Sequence, residues 1–275
     1  LIVNNAAGSP GGMSGTDATI TIAAQMISQS DGAAIKGQLA ASTAVTARMA
    51  RTVGVNRDGT VDNGVIAHEW GHYISNRLVG DGNGLSNAQA DGMGEGWADF
   101  HALLLLVKGS DANLPNNAGF AGTYSLAGYL SGGPDLPPDA VNNGYYDGIR
   151  RYPYSRDLSK NPLSFRHIAD GVALPASPAP AFDADGASNS EVHNTGEVWG
   201  SMLWECYSNI LNDTLGASPR LSFAQAQDRM KRYLVAGYKL TPVTPTMIEA
   251  RDALLAAMLS QDQTDYARCF EGFAK

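Results

Sequence analysis

The sequence of 275 residues is poor in charge and in cysteine. Charged residues make up 17% of it and the net charge is −8, so it lacks the concentrated positive charge that nucleic acid binding requires. The longest run of large apolar residues, 103–107, is far shorter than the roughly 20 residues of a membrane span. We therefore expect neither nucleic acid nor a membrane as a partner.

Only two cysteines are present, Cys206 and Cys269, and they form no CxxC pattern. This excludes a cysteine-based metal site. The two residues can form a disulfide or stay as two buried thiols, and the sequence leaves both alternatives open because it does not give the distance between them.

The pattern of residues indicates two regions that differ in predicted secondary structure, 1–51 and 52–275. In the first, strands are predicted at 1–3, 19–23 and 43–49, with a helix capped by Asp31 that runs to about residue 40. The second is mainly helical, and its predicted helices cover 62–79, 93–108, 191–211, 221–236, 245–259 and 263–272. Residues 109–190 are rich in Gly, Pro, Asn and Asp and are predicted to be long loops with short helices.

The strongest chemical signal is His68-Glu69-Trp70-Gly71-His72. Residues four apart share one face of a helix, so His68 and His72 can offer imidazole nitrogens to one ion. Glu69 lies beside that face, where its carboxylate can act on a water at the metal instead of binding the metal. The apolar residues on roughly the opposite side are predicted to anchor the helix in the core: Ile66, Trp70, Ile74 and Leu78.

A catalytic zinc needs a third protein ligand and an open position. The position six residues after His72, which supplies a histidine in one class of zinc peptidase, is Leu78. We therefore predict a carboxylate from a second helix, Glu95, with Asp91 as the alternative. Asp99 shares the face of Glu95 and is predicted to accept the outer N–H of a ligand histidine. The prediction is one zinc ion per chain.

Several ordered motifs across residues 55–275 resemble the fungalysin family of secreted metalloendopeptidases, whose catalytic core resembles that of thermolysin. The motifs are HEWGHYISNRL, GMGEGWADF, GIRRYPYS, EVHNTGEVWGSMLWE and LVAGYKLTPVTPTMIEARDALL. The resemblance implies that His68, His72 and Glu95 bind zinc and that Glu69 is catalytic, which agrees with the spacing. It also implies secretion and polypeptide substrates.

The resemblance nominates His193 as the histidine that stabilises the oxyanion. In thermolysin an aspartate five residues earlier orients this histidine, and here that position is Ser188. Glu191 or Asp185 can take its place, or the orientation can depend on the backbone.

The resemblance also nominates Arg150 as the arginine that binds the substrate carbonyl. The loop between the two ligand helices lacks the tyrosine that thermolysin has there, so either Tyr152 or Tyr154 replaces it or the contact is missing. We interpret the remaining histidines, His101 and His167, as structural.

Residues 1–51 resemble the C-terminal part of a protease-associated (PA) domain, on the stretch IVNNAAGSPGGMSGTDATITIAAQMISQSDGAAIKGQL. The resemblance implies further sequence at both ends, and an inhibitory propeptide and the N-terminal part of the same protein as partners. The predicted fold class is α+β: a mainly α-helical, thermolysin-like lobe in 52–275 after a partial α/β PA-like unit.

The predicted function is zinc-dependent hydrolysis of internal peptide bonds. Two alternatives stay open. An exopeptidase can use the same zinc core, although no motif for gripping a substrate terminus is visible. A non-catalytic interaction module with a structural zinc is disfavoured by Glu69, because a structural site needs four ligands and no base.

Overall fold

A computed structural model describes residues 1–4, 19, 24–46, 57–132 and 144–275. The chain divides into two compact units, Leu1–Val53 and Gly54–Lys275. Helices dominate the described residues, which confirms the mainly helical lobe. None of these helices combines the length and the hydropathy needed to cross a bilayer.

The first unit contains a two-stranded parallel sheet of β1 (Ile2–Val3) and β2 (Met26–Ile27), followed by helix α1 (Gln29–Ala40). The strand predicted at 1–3 is therefore observed. Helix α1 is capped by Ser28 and not by Asp31, because the Ser28 hydroxyl accepts the backbone N–H of Asp31. The strands predicted for 19–23 and 43–49 lie largely or partly outside the described residues.

The second unit is built from helices. In chain order they are α2 (Asn63–Leu78), α3 (Ala88–Leu106), the single turn α4 (Gly128–Ser131), α5 (Val192–Asn212), α6 (Phe223–Leu240), α7 (Met247–Leu259) and α8 (Gln263–Phe273). Short 3-10 helices lie at Gly59–Val61, Val79–Gly82, Gly109–Asn113, Ala118–Phe120 and Phe165–Ile168. The described part of 109–190 is thus loop with short helical turns, as predicted.

The starts of the two central helices are set by polar caps. Asp62 accepts the backbone N–H groups of Gly64 and Val65 and begins α2 at the predicted position. Helix α3 begins five residues earlier than predicted, because the Asn87 side chain accepts the N–H of Ala90. The first half of α3 contains Gly92, Gly94 and Gly96, and burial of these residues against neighbouring elements compensates for the weak helix propensity of glycine.

The core of the second unit lies between α3, α5, α6 and α7. The Trp97 ring packs edge-on against Trp199, with centroids 5.6 Å apart, and against Tyr238, at 5.1 Å. Cys206 and Cys269 form a disulfide that joins α5 to α8, so the disulfide is the alternative that the structure contains.

The prediction that Ile66 and Trp70 anchor α2 in the core is wrong. Ile66 is 50% exposed and Trp70 53% exposed, and the Trp70 ring stacks on Tyr73. Helix α2 instead packs on α3 through small residues, including Ala67 and Gly71, because these let the two backbones approach closely. Ile74 and Leu78 are partly buried against the core, in keeping with the prediction.

Candidate metal centre

Side chains from α2 and α3 converge on one point. The Nε2 atoms of His68 and His72 lie 3.0 Å apart. Oε2 of Glu95 lies 3.3 Å from Nε2 of His68, and Oε1 of Glu95 lies 3.5 Å from Nε2 of His72. These three residues are the group that can hold a metal ion among the described residues. Asp91, the alternative ligand, is exposed one turn earlier on α3.

The spacing of these atoms fits a zinc ion. Zinc bonds of 2.0–2.1 Å in a tetrahedron place neighbouring ligand atoms about 3.3 Å apart. The two imidazole nitrogens lie 3.0 Å apart, and each is 3.3 or 3.5 Å from a different oxygen of Glu95, so the distances are close to that value. Oε2 of Glu95 is buried and has no hydrogen-bond partner among the described residues, which leaves its lone pairs available to a cation.

A buried carboxylate, Asp99, contacts the His68 ring at the nitrogen that does not face the other ligand atoms. Asp99 is fully buried, and its Oδ1 lies 2.7 Å from Nδ1 of His68. Arg150 donates to it from Nε at 2.6 Å and from Nη2 at 2.8 Å, and the Tyr154 hydroxyl donates as well. Burial would raise the pKa of Asp99, but the charge of Arg150 and these hydrogen bonds outweigh it and lower the pKa to about 2.

The electrostatics of the cluster favour bound positive charge. Burial lowers the pKa of His68, but the carboxylates of Asp99 and Glu95 raise it to about 9. Burial likewise raises the pKa of Glu95, yet the nearby histidines bring it well below its usual range. A proton or a divalent cation between these groups is therefore stabilised, and the two compete for the same nitrogen atoms.

A further histidine reaches the cluster from the start of α5. Nε2 of His193 lies 3.4 Å from Oε2 of Glu95, and half of the His193 side chain is exposed. Its Nδ1 lies 2.7 Å from Oε1 of Glu191, which also caps α5 by accepting the backbone N–H groups of His193 and Asn194. Asp185 instead accepts the N–H of Ala187, so Glu191 is the acid that contacts His193.

Helices α3 and α5 cross at two glycines, which brings His193 close to Glu95. A Cβ placed on Gly96 would stand 2.4 Å from the carbonyl oxygen of Gly196, and one placed on Gly196 would stand 2.6 Å from Cβ of Glu95. No larger residue fits at this crossing without moving a helix.

Sequence reasoning missed a buried ion pair that holds the start of α5. Arg151 is fully buried and donates from Nε to Glu197 at 2.9 Å, from Nη1 to the Asn189 side chain at 2.7 Å and from Nη2 to the carbonyl of Asn194 at 2.8 Å. Both charged residues lie inside motifs that carry the family resemblance. Their pairing was not visible because it joins positions 46 residues apart.

The other residues singled out in the sequence differ in their exposure and in their hydrogen-bond partners. Glu69 is exposed on α2, next to His68. The hydroxyl of Tyr152 donates to the carbonyl of Pro175, while that of Tyr154 donates to Asp99, so neither tyrosine presents a free hydroxyl to substrate. His101 is buried against Tyr238.

An HExxH helix whose two histidines meet a glutamate from a second helix is typical of zinc metallopeptidases. The sequence model of the fungalysin metallopeptidase family matches residues 5–275. The chain belongs to this family, whose members depend on zinc.

Individual relatives agree with the family match. The chain is 30% identical over 233 residues to extracellular metalloproteinase mep of Aspergillus terreus, covering 80% of this chain and 30% of the relative. It is 30% identical over 211 residues to extracellular metalloproteinase 10 of Coccidioides posadasii, covering 73% of this chain and 28% of the relative. The mep protein of Aspergillus fumigatus is 31% identical over 211 residues. The chain thus spans about 30% of the length of these relatives.

Proposed function

We propose that this chain carries the zinc-binding and water-activating part of an extracellular zinc metalloendopeptidase. The observation that supports it is the convergence of His68, His72 and Glu95, whose ligand atoms, one from each residue, all lie within 4.8 Å of one another. The names of the relatives, extracellular metalloproteinases, agree with this function and with secretion.

His68, His72 and Glu95 are the proposed zinc ligands, with one ion per chain. When bound, zinc lowers the pKa of a coordinated water to about 7 and polarises a carbonyl group. Asp99 lies 2.7 Å from Nδ1 of His68 and would accept an N–H from it, which would leave the Nε2 lone pair available to a zinc ion. A site with three protein ligands would leave room for water or substrate, which is typical of catalytic zinc sites and not of structural ones.

Glu69 is the proposed general base. It takes a proton from the attacking water and delivers it to the amine that leaves. Its exposed position beside His68 leaves the carboxylate accessible to solvent and substrate.

His193 and Arg150 are the proposed partners of the substrate carbonyl. The contact of Nδ1 of His193 with Glu191 orients the ring so that Nε2 lies 3.4 Å from Oε2 of Glu95, where an N–H on Nε2 can donate to the oxyanion. Arg150 is fixed by Asp99, with its Nη2 4.0 Å from Oε2 of Glu95, so its guanidinium lies at the edge of the same site.

The deciding experiment compares full-length protein with its Glu69→Gln variant. We expect both to contain one zinc ion per chain and the variant to lose turnover of an internally quenched, end-blocked peptide. The exposed Glu271 offers a matched control, and Glu271→Gln should keep full activity. Full activity in Glu69→Gln would remove the base assignment. Cleavage of only unblocked peptides would indicate an exopeptidase, and zinc without cleavage of either would indicate a structural role.

We further propose that residues 1–51 are the C-terminal part of a PA domain and that 52–275 form the thermolysin-like catalytic domain. In that arrangement an inhibitory propeptide and the N-terminal part of the same protein are partners. The parallel strand pair β1–β2 followed by α1 supports an α/β unit in this region.

A further inference from the structure

His193 depends on the backbone of α5 for its position, because its own side chain is little packed. Half of that side chain is exposed, and its ring contacts Glu191 at Nδ1 and lies 3.4 Å from Glu95 at Nε2. A misplacement of about 1 Å in a group that acts on the reacting atoms can lower a rate about 100-fold. The residues that fix the first turn of α5 therefore decide whether His193 lies at a useful distance from the metal cluster.

One buried side chain, Arg151, fixes that turn from several directions. Its Nη2 donates to the carbonyl of Asn194, the residue after His193, at 2.8 Å. Its Nε donates to Glu197, one helical turn after His193, at 2.9 Å, and its backbone N–H donates to the same carboxylate at 2.6 Å. Arg151, Asn194 and Glu197 are all buried, so little water competes for these hydrogen bonds, and they are stronger than they would be at the surface.

The same guanidinium also holds the loop that leads into α5. Its Nη1 donates to Oδ1 of Asn189 at 2.7 Å, and the carbonyl of Asn189 accepts the hydroxyl of Thr195 at 3.0 Å. The amide of the Asn189 side chain in turn donates to the carbonyls of Ala169 and Val172. The loop, the first turn of α5 and Arg151 thus form one hydrogen-bonded unit. The first turn cannot shift without breaking buried hydrogen bonds, which is costly.

Arg151 follows directly after Arg150, whose side chain contacts the opposite side of the site. Arg150 donates to Asp99, and Asp99 contacts Nδ1 of His68. Adjacent Cα atoms are about 3.8 Å apart across a trans peptide, so one short stretch of backbone holds two guanidinium groups that contact α3 and α5. This stretch links the position of His68 to that of His193.

We infer that Arg151 is a positioning residue for His193. Through its contacts with Asn194 and Glu197 it sets the distance between the His193 ring and the metal cluster. It does not touch substrate, because its side chain is fully buried. The inference rests on the proposed function, in which His193 donates to the oxyanion.

The test is a double-mutant cycle of Arg151→Lys and His193→Ala in full-length protein, with kcat and KM measured on an internally quenched, end-blocked peptide. Lysine keeps the buried charge, but its single nitrogen cannot replace the planar fork of donors. We expect Arg151→Lys to keep its zinc and to lower kcat at least about tenfold, with KM changed less than about threefold. In the His193→Ala background the same change should lower kcat less than about twofold, because the residue through which it acts is gone.

The cycle separates this inference from the proposed function. His193→Ala alone tests the oxyanion role, and its kcat should fall about 100- to 1,000-fold, which leaves a measurable rate. A parental kcat in Arg151→Lys would overturn the inference alone. So would an equal loss of kcat with and without His193, which is the result that a merely structural role of Arg151 predicts. A parental kcat in His193→Ala would overturn the oxyanion role and the inference with it.

A second variant and a control accompany the cycle. Glu197→Gln keeps the shape of the side chain but removes the charge opposite Nε of Arg151, and it should show the same coupling to His193→Ala. Where Arg151→Lys does not fold, a parental kcat in Glu197→Gln overturns the inference. Arg156→Lys is the control, because Arg156 donates to Asn209 near the far end of α5, and its kcat should stay at the parental value.

Discussion

Gly71 of α2 lies so close to Ala98 of α3 that a Cβ placed on Gly71 would stand 2.7 Å from the Cα of Ala98. The two helix axes can therefore approach at the turn that carries His72 and Glu95. The short distances between the histidines and Glu95 depend on this contact between backbones, because the histidines lie on α2 and Glu95 lies on α3.

Adding one methyl group at this contact should open the metal centre. We expect Gly71→Ala to lower the free energy of unfolding by about 1–3 kcal/mol, because overpacking forces the helices apart. Zinc affinity should fall at least about tenfold, measured by competition with a chromophoric chelator. In Gly94→Ala, the added methyl would meet only the Leu85 side chain at 3.8 Å, and stability should be unchanged or slightly raised. Normal zinc affinity in Gly71→Ala would contradict this account.

The carboxylate of Asp99 should tune the affinity for zinc. In Asp99→Asn, His68 loses its anionic partner, and we expect zinc binding about 10- to 100-fold weaker. The buried Arg150 also loses its counter-charge, which should cost about 3 kcal/mol or more in a thermal or denaturant unfolding experiment. Asp91→Asn, on the exposed start of the same helix, is the control and should keep its zinc. Weak zinc binding in Asp91→Asn with normal binding in Asp99→Asn would identify Asp91 as the ligand.

The contact between Glu191 and His193 should matter for turnover and not for zinc. Glu191→Gln keeps a cap for α5 but removes the charge next to Nδ1 of the histidine, and we expect kcat to fall about tenfold with unchanged zinc content. Asp185→Asn is the control, because Asp185 is the other acid that the sequence analysis proposed as a partner of His193. The kcat of this variant should stay at the parental value. An effect confined to Asp185→Asn would reverse the assignment.

A buried neutral histidine should make the fold sensitive to acid. Burial lowers the pKa of His101 to about 4 from an ordinary value near 6.5. The unfolded chain therefore takes up a proton at this residue between these two values while the folded chain does not. The stability that is fully present above pH 6.5 is lost as the pH falls towards 4, by about 3 kcal/mol at most.

The measurement is urea unfolding between pH 7.5 and 4.5, with a chelator in every sample so that loss of metal makes no contribution. His101→Gln can still hydrogen-bond with the Tyr238 hydroxyl but does not titrate in this range, so its stability should depend less steeply on pH. Identical slopes for the two proteins would show that His101 does not carry the effect.

Local patterns were sufficient to predict the parts of the site that lie within one helix. The four-residue spacing of His68 and His72 places both on one face of α2 whatever surrounds it, and the Asp62 cap sets where that helix begins. The need for a third ligand then pointed to Glu95 on a second helix, and the family motifs supplied His193 as a candidate. Their roles stay proposals, but the structure brings all these side chains together.

The contacts between helices could not be predicted from the sequence. A period of four residues indicated that Ile66 and Trp70 were core residues, whereas the close contact at Gly71 places small residues on the buried face and leaves Ile66 and Trp70 exposed. Periodicity shows which residues share a face, but not which face a neighbouring helix covers.

The sequence by itself determined the helical ligand motif, the likeness to a family and the exclusion of a cysteine-based metal site. Only the tertiary structure decided that Cys206 bonds with Cys269, that Glu191 is the partner of His193 and that Arg151 pairs with Glu197. The physical reason is that helix caps and side-chain spacing depend on neighbours in the chain, whereas these pairings depend on distances set by how whole helices pack.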